Sequence, residues 1–270
     1  MNRSMTTATN TMSQLQKQFD IISNNIANSG TNGFKRKDVS FADMIFQEVN
    51  NQTSRDNEIG RLSPHGIRQG VGAKIAKSAM VLSQGAIQNT GRSLDFAFTA
   101  ENQFLKVRVQ DDNGTHMRFT RNGALYAAPS GNNEMMLVTQ DGHAVLDQQN
   151  NPITFSDKAT DFTITNHGEF RANGARVADL GVIALNKPQY MEQKGDSLIG
   201  MPDNAAVNPA FVYTDLDSNA IAMQHQALEA SNVDLSKEMT DMMNVQRALQ
   251  FQSRAITVSD QMMGLVNGIR

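Results

Sequence analysis

The sequence predicts an α+β protein in which long N- and C-terminal helices flank a central β-rich domain. Three observations carry that expectation. All six prolines (Pro64, Pro129, Pro152, Pro188, Pro202 and Pro209) lie in the middle of the 270-residue chain. No glycine occurs before Gly30 or between Gly200 and Gly264, so both ends lack the residues that interrupt helices. The ends also carry apolar residues at helical spacing, whereas the centre carries short alternating runs.

Residues 1–30 read as one helix. Met5, Ala8, Met12, Leu15, Phe19, Ile22 and Ile26 step alternately by three and four, the narrow a/d seam of a coiled coil, with Thr, Ser, Asn and Gln between them. Asn28-Ser29-Gly30 supplies a stop. Residues 31–75 are polar, rich in Gly, Asn and Arg, and without a sustained period. They read as an extended connector with one apolar patch at Phe41–Phe46.

Residues 76–225 read as β-structure. In Phe104–Val109, Leu105, Val107 and Val109 take one face, and Lys106 and Arg108 the other. Met135–Thr139, Asp141-Gly142 and Ala144–Leu146 have the form of a tight hairpin. Phe162–Thr165, His167-Gly168, Glu169–Arg171 and Asn173-Gly174 continue the alternation of short strands and turns, and Val182–Leu185 reads as a buried strand.

Residues 226–270 read as the second long helix. Leu235, Met239, Met242, Val245, Leu249, Ile256, Met263 and Val266 form its stripe, interrupted by polar Gln252 and Ser259. Ser231, Asn232 and Asp234 supply capping residues, and Glu238 an acidic first turn. Both stripes are narrower than the apolar face of a globular helix, and each end is the natural partner of the other. Isolated helices of this kind are marginal. The termini are therefore expected to be disordered in the monomer and to order as a coiled-coil layer when many copies pack, and limited proteolysis of the monomer is expected to strip both ends and leave a core near residues 70–225.

The chemistry points away from catalysis. A net charge of −3 and a pI near 5.9 lack the basic signature of a nucleic-acid binder. Without cysteine there are no disulfides, thiolate metal sites or thiol nucleophiles. No apolar run is long enough for a transmembrane helix. The start has no apolar segment of signal-peptide type, so export with a cleaved signal is not expected. His65, His116, His143, His167 and His225 show no paired spacing of a metal site. Gly66, Gly70 and Gly72 match neither a dinucleotide fingerprint nor a P-loop. Asp215, Asp217 and Asn219 begin like a calcium loop, which fails at Ala220 and Gln226. Lys35-Arg36-Lys37 reads as a solvated basic loop. No catalytic residue, cofactor or metal is expected.

Three passages together resemble one family, the flagellar basal-body rod and hook proteins of bacteria. The first is SNNIANSGTNGFKRKDVSFADMIFQ. The second is QGAIQNTGRSLDFAFTAENQFLKV with FTRNGAL and LVTQDGHAVLD. The third is ALEASNVDLSKEMTDMMNVQRALQFQSRAI, followed by Asp260-Gln261-Met262. The length is most similar to that of the distal rod member, hook proteins being generally longer. Thr6 stands where an aromatic is common, and Thr99–Phe104 lacks the usual paired glycines. Rod paralogues share both terminal signatures, so a proximal-rod or hook subunit is the alternative, and a secreted cell-wall enzyme a more distant one.

The resemblance implies a structural subunit that polymerises with copies of itself into a helical tube carrying torque from motor to hook. It also implies contacts with other rod and hook subunits, export by the flagellar type III apparatus, and a place in the basal body. The signature residues are Asn24, Asn25, Asn28, Thr31, Gly33, Phe34, Lys35, Glu229, Ser231, Asn232, Asp234, Glu238, Gln246 and Arg247. Of these, Asn24, Asn25, Asn28, Thr31, Glu229, Asn232 and Asp234 are expected to set helix ends and subunit register, plain helix capping being the simpler role. Phe41 with Ile45 resembles an export-gate element, and reads equally as a buried pair one helical turn apart.

Overall fold

The two ends that lack breakers are the two long helices, Arg3–Ala27 and Leu235–Gly268. A computed structural model describes residues 3–43, 47–49, 67–70, 72–111, 114–131, 133–195, 197–202 and 208–268. The protein has a mixed α+β architecture and divides into two units. One comprises Met1–Ile26, Lys37–Ser78 and Leu235–Arg270; the other comprises Ala27–Arg36 and Ala79–Asp234.

In the first unit the apolar spacing of the N-terminal helix translates directly into burial. Ala8 and Ile22 are buried, and Met5, Met12, Leu15, Phe19 and Ile26 are half-buried. Threonine is tolerated on this helix because Thr9 and Thr11 donate their hydroxyls to the carbonyls of Met5 and Thr7. The stretch read as an extended connector contains strands. Lys37–Asp43 pairs with Ala73–Met80, and Gln47–Val49 pairs antiparallel with Ile67–Gln69. Most of Ala73–Met80 is exposed or half-buried, so nothing enforces the apolar alternation that would announce a strand. The amide of Ile75 donates to Gln14 Oε1 at 3.2 Å, which fastens this strand to the N-terminal helix.

The second unit is built on a large antiparallel sheet. Its order runs Thr154–Ser156, Glu134–Thr139, Ala144–Val145, Gln103–Asp111, Gly114–Thr120, Leu198–Gly200 and Glu192–Gln193. Val182–Leu185 pairs with Gln103–Asp111 on one side and Tyr213–Asp215 on the other. The expected hairpins form: Gly142 and Gly168 adopt left-handed backbone, and Asn173-Gly174 turns with φ of 51° and 78°. Leu105, Val107 and Val109 enter the main core beside Leu125, Leu137, Val145 and Phe170. Phe104 joins a second cluster with Phe119, Ile183, Leu185, Ile199 and Val212.

Lys106 lies on the face opposite Leu105, as the alternation predicts, and is buried there, its Nζ 2.8 Å from Asp215 Oδ1 and 3.0 Å from Asn150 Oδ1. The face opposite Leu105 is itself covered, so a lysine there needs polar partners. The stop of the N-terminal helix corrects one expectation. The helix ends at Ala27, as expected, but the left-handed residue is Gly33 (φ 70°) rather than Gly30. Between them Thr31 N donates to Asn28 O and Phe34 N to Thr31 O, closing successive turns.

Candidate assembly site

Three distant pieces of chain meet in the second unit. Ala227–Glu229 pairs with Ile87–Asn89, and Gly33 N donates to the carbonyl of Glu229 at 2.7 Å. This brings the segment that follows the N-terminal helix beside the segment that precedes the C-terminal one. The Glu229 carboxylate is the hub. Oε1 accepts from Lys35 Nζ at 2.6 Å and from Gly85 N at 2.9 Å, and Oε2 accepts from Arg121 Nε at 2.6 Å. The side chains of Lys35, Glu229 and Arg121 are 2%, 1% and 0% exposed.

Two cations share one anion, and backbone carbonyls make up the difference. Lys35 Nζ also donates to Ser83 O at 2.7 Å. Arg121 donates to Glu101 O, Gln103 O and Ala100 O at 2.7 to 2.9 Å, and its guanidinium carbon lies 5.7 Å and 5.6 Å from the ring centroids of Phe98 and Phe104. Among the described residues no buried side-chain polar atom lacks a partner. Burial pushes the Lys35 ammonium below its ordinary range, with repulsion from Arg121 acting in the same direction and Glu229 opposing both. Burial lowers Arg121 as well, against the pull of Glu229.

Glycine makes the approach possible. A Cβ on Gly33 would stand 2.5 Å from the carbonyl carbon of Arg121, and one on Gly85 would stand 2.0 Å from the carbonyl oxygen of Ala230. Asn232 completes the junction. Its Nδ2 donates to Val81 O and Ser83 O, both at 2.9 Å, and its Oδ1 accepts from Arg36 N at 2.8 Å. Phe34 is buried, and its carbonyl accepts from Asn232 N.

The first unit has its own polar contact between ends. Asn25 is buried, accepts from Lys37 N at 3.0 Å, and donates to Lys37 O at 2.9 Å and Glu238 Oε2 at 3.2 Å. Glu238 lies in the first turn of the C-terminal helix and is buried. From it a shielded strip runs down that helix through Met242, Val245, Leu249, Gln252, Ile256 and Ser259, with strict four-three spacing. Leu235, Met239, Met263 and Val266, assigned to the stripe from sequence, are exposed.

The remaining sequence-derived residues fall in several places. Asn24 and Asp234 lie at the exposed surface, as do Gln246 and Arg247, while Asn28 and Thr31 sit half-buried in the turn after the helix. Ser231 Oγ accepts from Val233 N just before the C-terminal helix. Phe41 lies exposed in the strand Lys37–Asp43, not on a helix, and Ile45 lies outside the described residues. Lys35, read as a solvated residue of a basic run, is the clearest correction: it is buried because an anion 194 positions later meets it. Arg121 was not anticipated as a site residue. Its only sequence signal is its place in FTRNGAL, a turn passage where an arginine has no local task.

Comparison with known proteins matches three regions of the chain. Residues 5–35 match the family described as flagella basal body rod protein. Residues 102–172 match the flagellar hook protein FlgE/F/G D1 domain, and residues 224–269 the flagellar basal body rod FlgEFG protein C-terminal region. Over the full length of both chains it is 41% identical to the flagellar hook-basal body complex protein FlhP of Bacillus subtilis (strain 168). The chain belongs to the flagellar basal-body rod and hook protein family. This rod and hook protein is also 31% identical to the flagellar basal-body rod protein FlgG of the same organism, over 97% of each chain. With FlgG of Agrobacterium fabrum (strain C58 / ATCC 33970) it shares 29% identity over 98% of each. Each matched region of the family contributes one member of the buried cluster: Lys35, Arg121 and Glu229.

Proposed function

We propose that the protein is a structural subunit of the flagellar rod, in its distal part, polymerising through its terminal helices into a helical tube that carries torque towards the hook. Family membership supports the class, and one feature of the C-terminal helix carries the mechanism. Phe251, Ala255, Val258, Met262 and Leu265 repeat at four-three spacing on a second side, about 100° round the helix from the shielded strip. The four larger ones are 66%, 52%, 52% and 70% exposed. A helix with apolar strips on two sides has more than one helical neighbour to satisfy.

In this reading the N-terminal seam from Met5 to Ile26 and the shielded strip of the C-terminal helix form the coiled-coil layer. The outward strip then packs on neighbouring copies. Contacts that join unlike surfaces and do not close produce a helical polymer. Adjoining rod and hook subunits continue the tube. Such a subunit does mechanical work, and it reaches the basal body through the type III export route.

The test is polymerisation of the purified chain at high concentration, viewed by electron microscopy. The wild type is expected to form tubes, whereas F251D/V258D stays monomeric with an unchanged melting temperature. A double variant that polymerises like the wild type overturns the assignment of the strip. A second position in the organelle is favoured by one observation: identity is 41% to FlhP but 31% to FlgG within one organism. Complementing single-gene deletion strains distinguishes the two, since only the matching deletion regains motility.

A further inference from the structure

The buried cluster does something that a polymer contact does not require. Glu229 joins two segments of the second unit that are far apart in sequence, residues 27–36 and 226–234, and each lies at the root of one terminal helix. Both segments use the same carboxylate. The N-terminal one contributes Lys35, and Arg121 of the sheet takes the opposite oxygen. The backbone repeats the connection, with Gly33 N on Glu229 O, Val81 N on Arg36 O, Asn232 N on Phe34 O and Ala230 N on Ala86 O.

We infer that Lys35, Glu229 and Arg121 form a two-ended latch, in which the roots of the two terminal helices dock and open as a single cooperative unit, with Glu229 as the positioning residue. The physical ground is the asymmetry of buried charge. Well-packed apolar side chains could replace such a cluster at little cost, but removing one member leaves uncompensated charge in the interior. If residues 226–234 leave, Lys35 and Arg121 face each other without their anion. If residues 27–36 leave, the Glu229 carboxylate loses its lysine, its carbonyl loses Gly33 N, and Ser83 O keeps Asn232 Nδ2 alone of its two donors. Neither segment therefore has a stable docked state without the other.

A directional consequence follows. The root of the N-terminal helix cannot be fixed until the chain has emerged past Glu229, close to its C-terminal end. A partly delivered chain keeps that root free, and a complete one closes both roots together. This goes beyond the assembly reading and can be tested on the monomer, without polymer.

Hydrogen exchange on the full-length monomer tests it, with the E229Q and K35M variants. Gly33 and Val81 amides report the N-terminal segment, and Ala230 and Gly85 amides the C-terminal one. Amides paired between Gln103–Asp111 and Gly114–Thr120 serve as reference. E229Q is expected to speed exchange at both segments by about a hundredfold. K35M, which keeps the Arg121 pair, should speed both by a smaller factor, equal at the two segments to within about twofold. The reference amides change less in each case. Loosening confined to the segment that carries the substitution overturns the latch, as does wild-type protection at both segments in E229Q. Should E229Q fail to fold, K35M alone decides, because Ala230 responding as strongly as Gly33 is the coupling itself.

Discussion

Gly33 holds a left-handed backbone conformation and touches the chain at Arg121, so two separate constraints fall on one position. An alanine there meets both the positive-φ penalty and a contact with main-chain atoms that cannot rotate away. Gly33→Ala is expected to lower stability by about 2 to 4 kcal/mol, measured as a shift in the urea midpoint of the monomer. Gly30, only three residues earlier, has nothing within 4 Å of its added Cβ, and alanine there should be close to neutral. The sequence suggested a glycine stop near this point, and could not tell which glycine carried the constraint. The deciding neighbour is Arg121, and nothing within the local pattern names it. Lys35 was misread for the same reason, since a lysine between two other basic residues looks solvated until its distant carboxylate is in place.

At the scale of elements, proline and glycine placement and apolar spacing located both long helices, and turn residues located the hairpins. Local rules suffice there because a helix face or a two-residue turn is decided by residues a few positions apart. On the C-terminal helix the spacing places polar Gln252 and Ser259 in the shielded strip, but it fails at the first turn, where Glu238 is buried. An apolar count passes over Glu238 and admits exposed Leu235 and Met239 in its place. Two valines separate the faces experimentally. Val245→Ala should destabilise the monomer by about 1 to 3 kcal/mol, whereas Val258→Ala should stay within about 0.5 kcal/mol. Thermal unfolding followed by far-ultraviolet circular dichroism measures both. An equal response at the two positions would contradict the two-faced helix.

At the scale of the whole molecule, the β-rich unit is assembled from a chain that leaves and returns, with residues 37–78 belonging to the other unit. Trypsin can read this arrangement. Lys17, Arg247 and Arg254 are exposed on the long helices, while Lys35 is buried. Brief digestion of the monomer is expected to cut at the helices first and leave the bond after Lys35 intact, as mass spectrometry of the fragments would show. Early cleavage after Lys35 would mean that its segment is not docked. The resistant span is therefore expected to reach further towards the N-terminus than residue 70, because residues 27–36 are held by hydrogen bonds and charge rather than by neighbouring sequence.

Since each of three separate stretches donates one charged group to a single enclosed meeting point, none of them can be exchanged alone without consequence. A hybrid that grafts the middle of a relative between these two ends must bring its own cation to face Glu229, or that carboxylate is walled in with too few donors. Engineers building chimeric subunits should therefore treat the positions of Lys35, Arg121 and Glu229 as one inherited character.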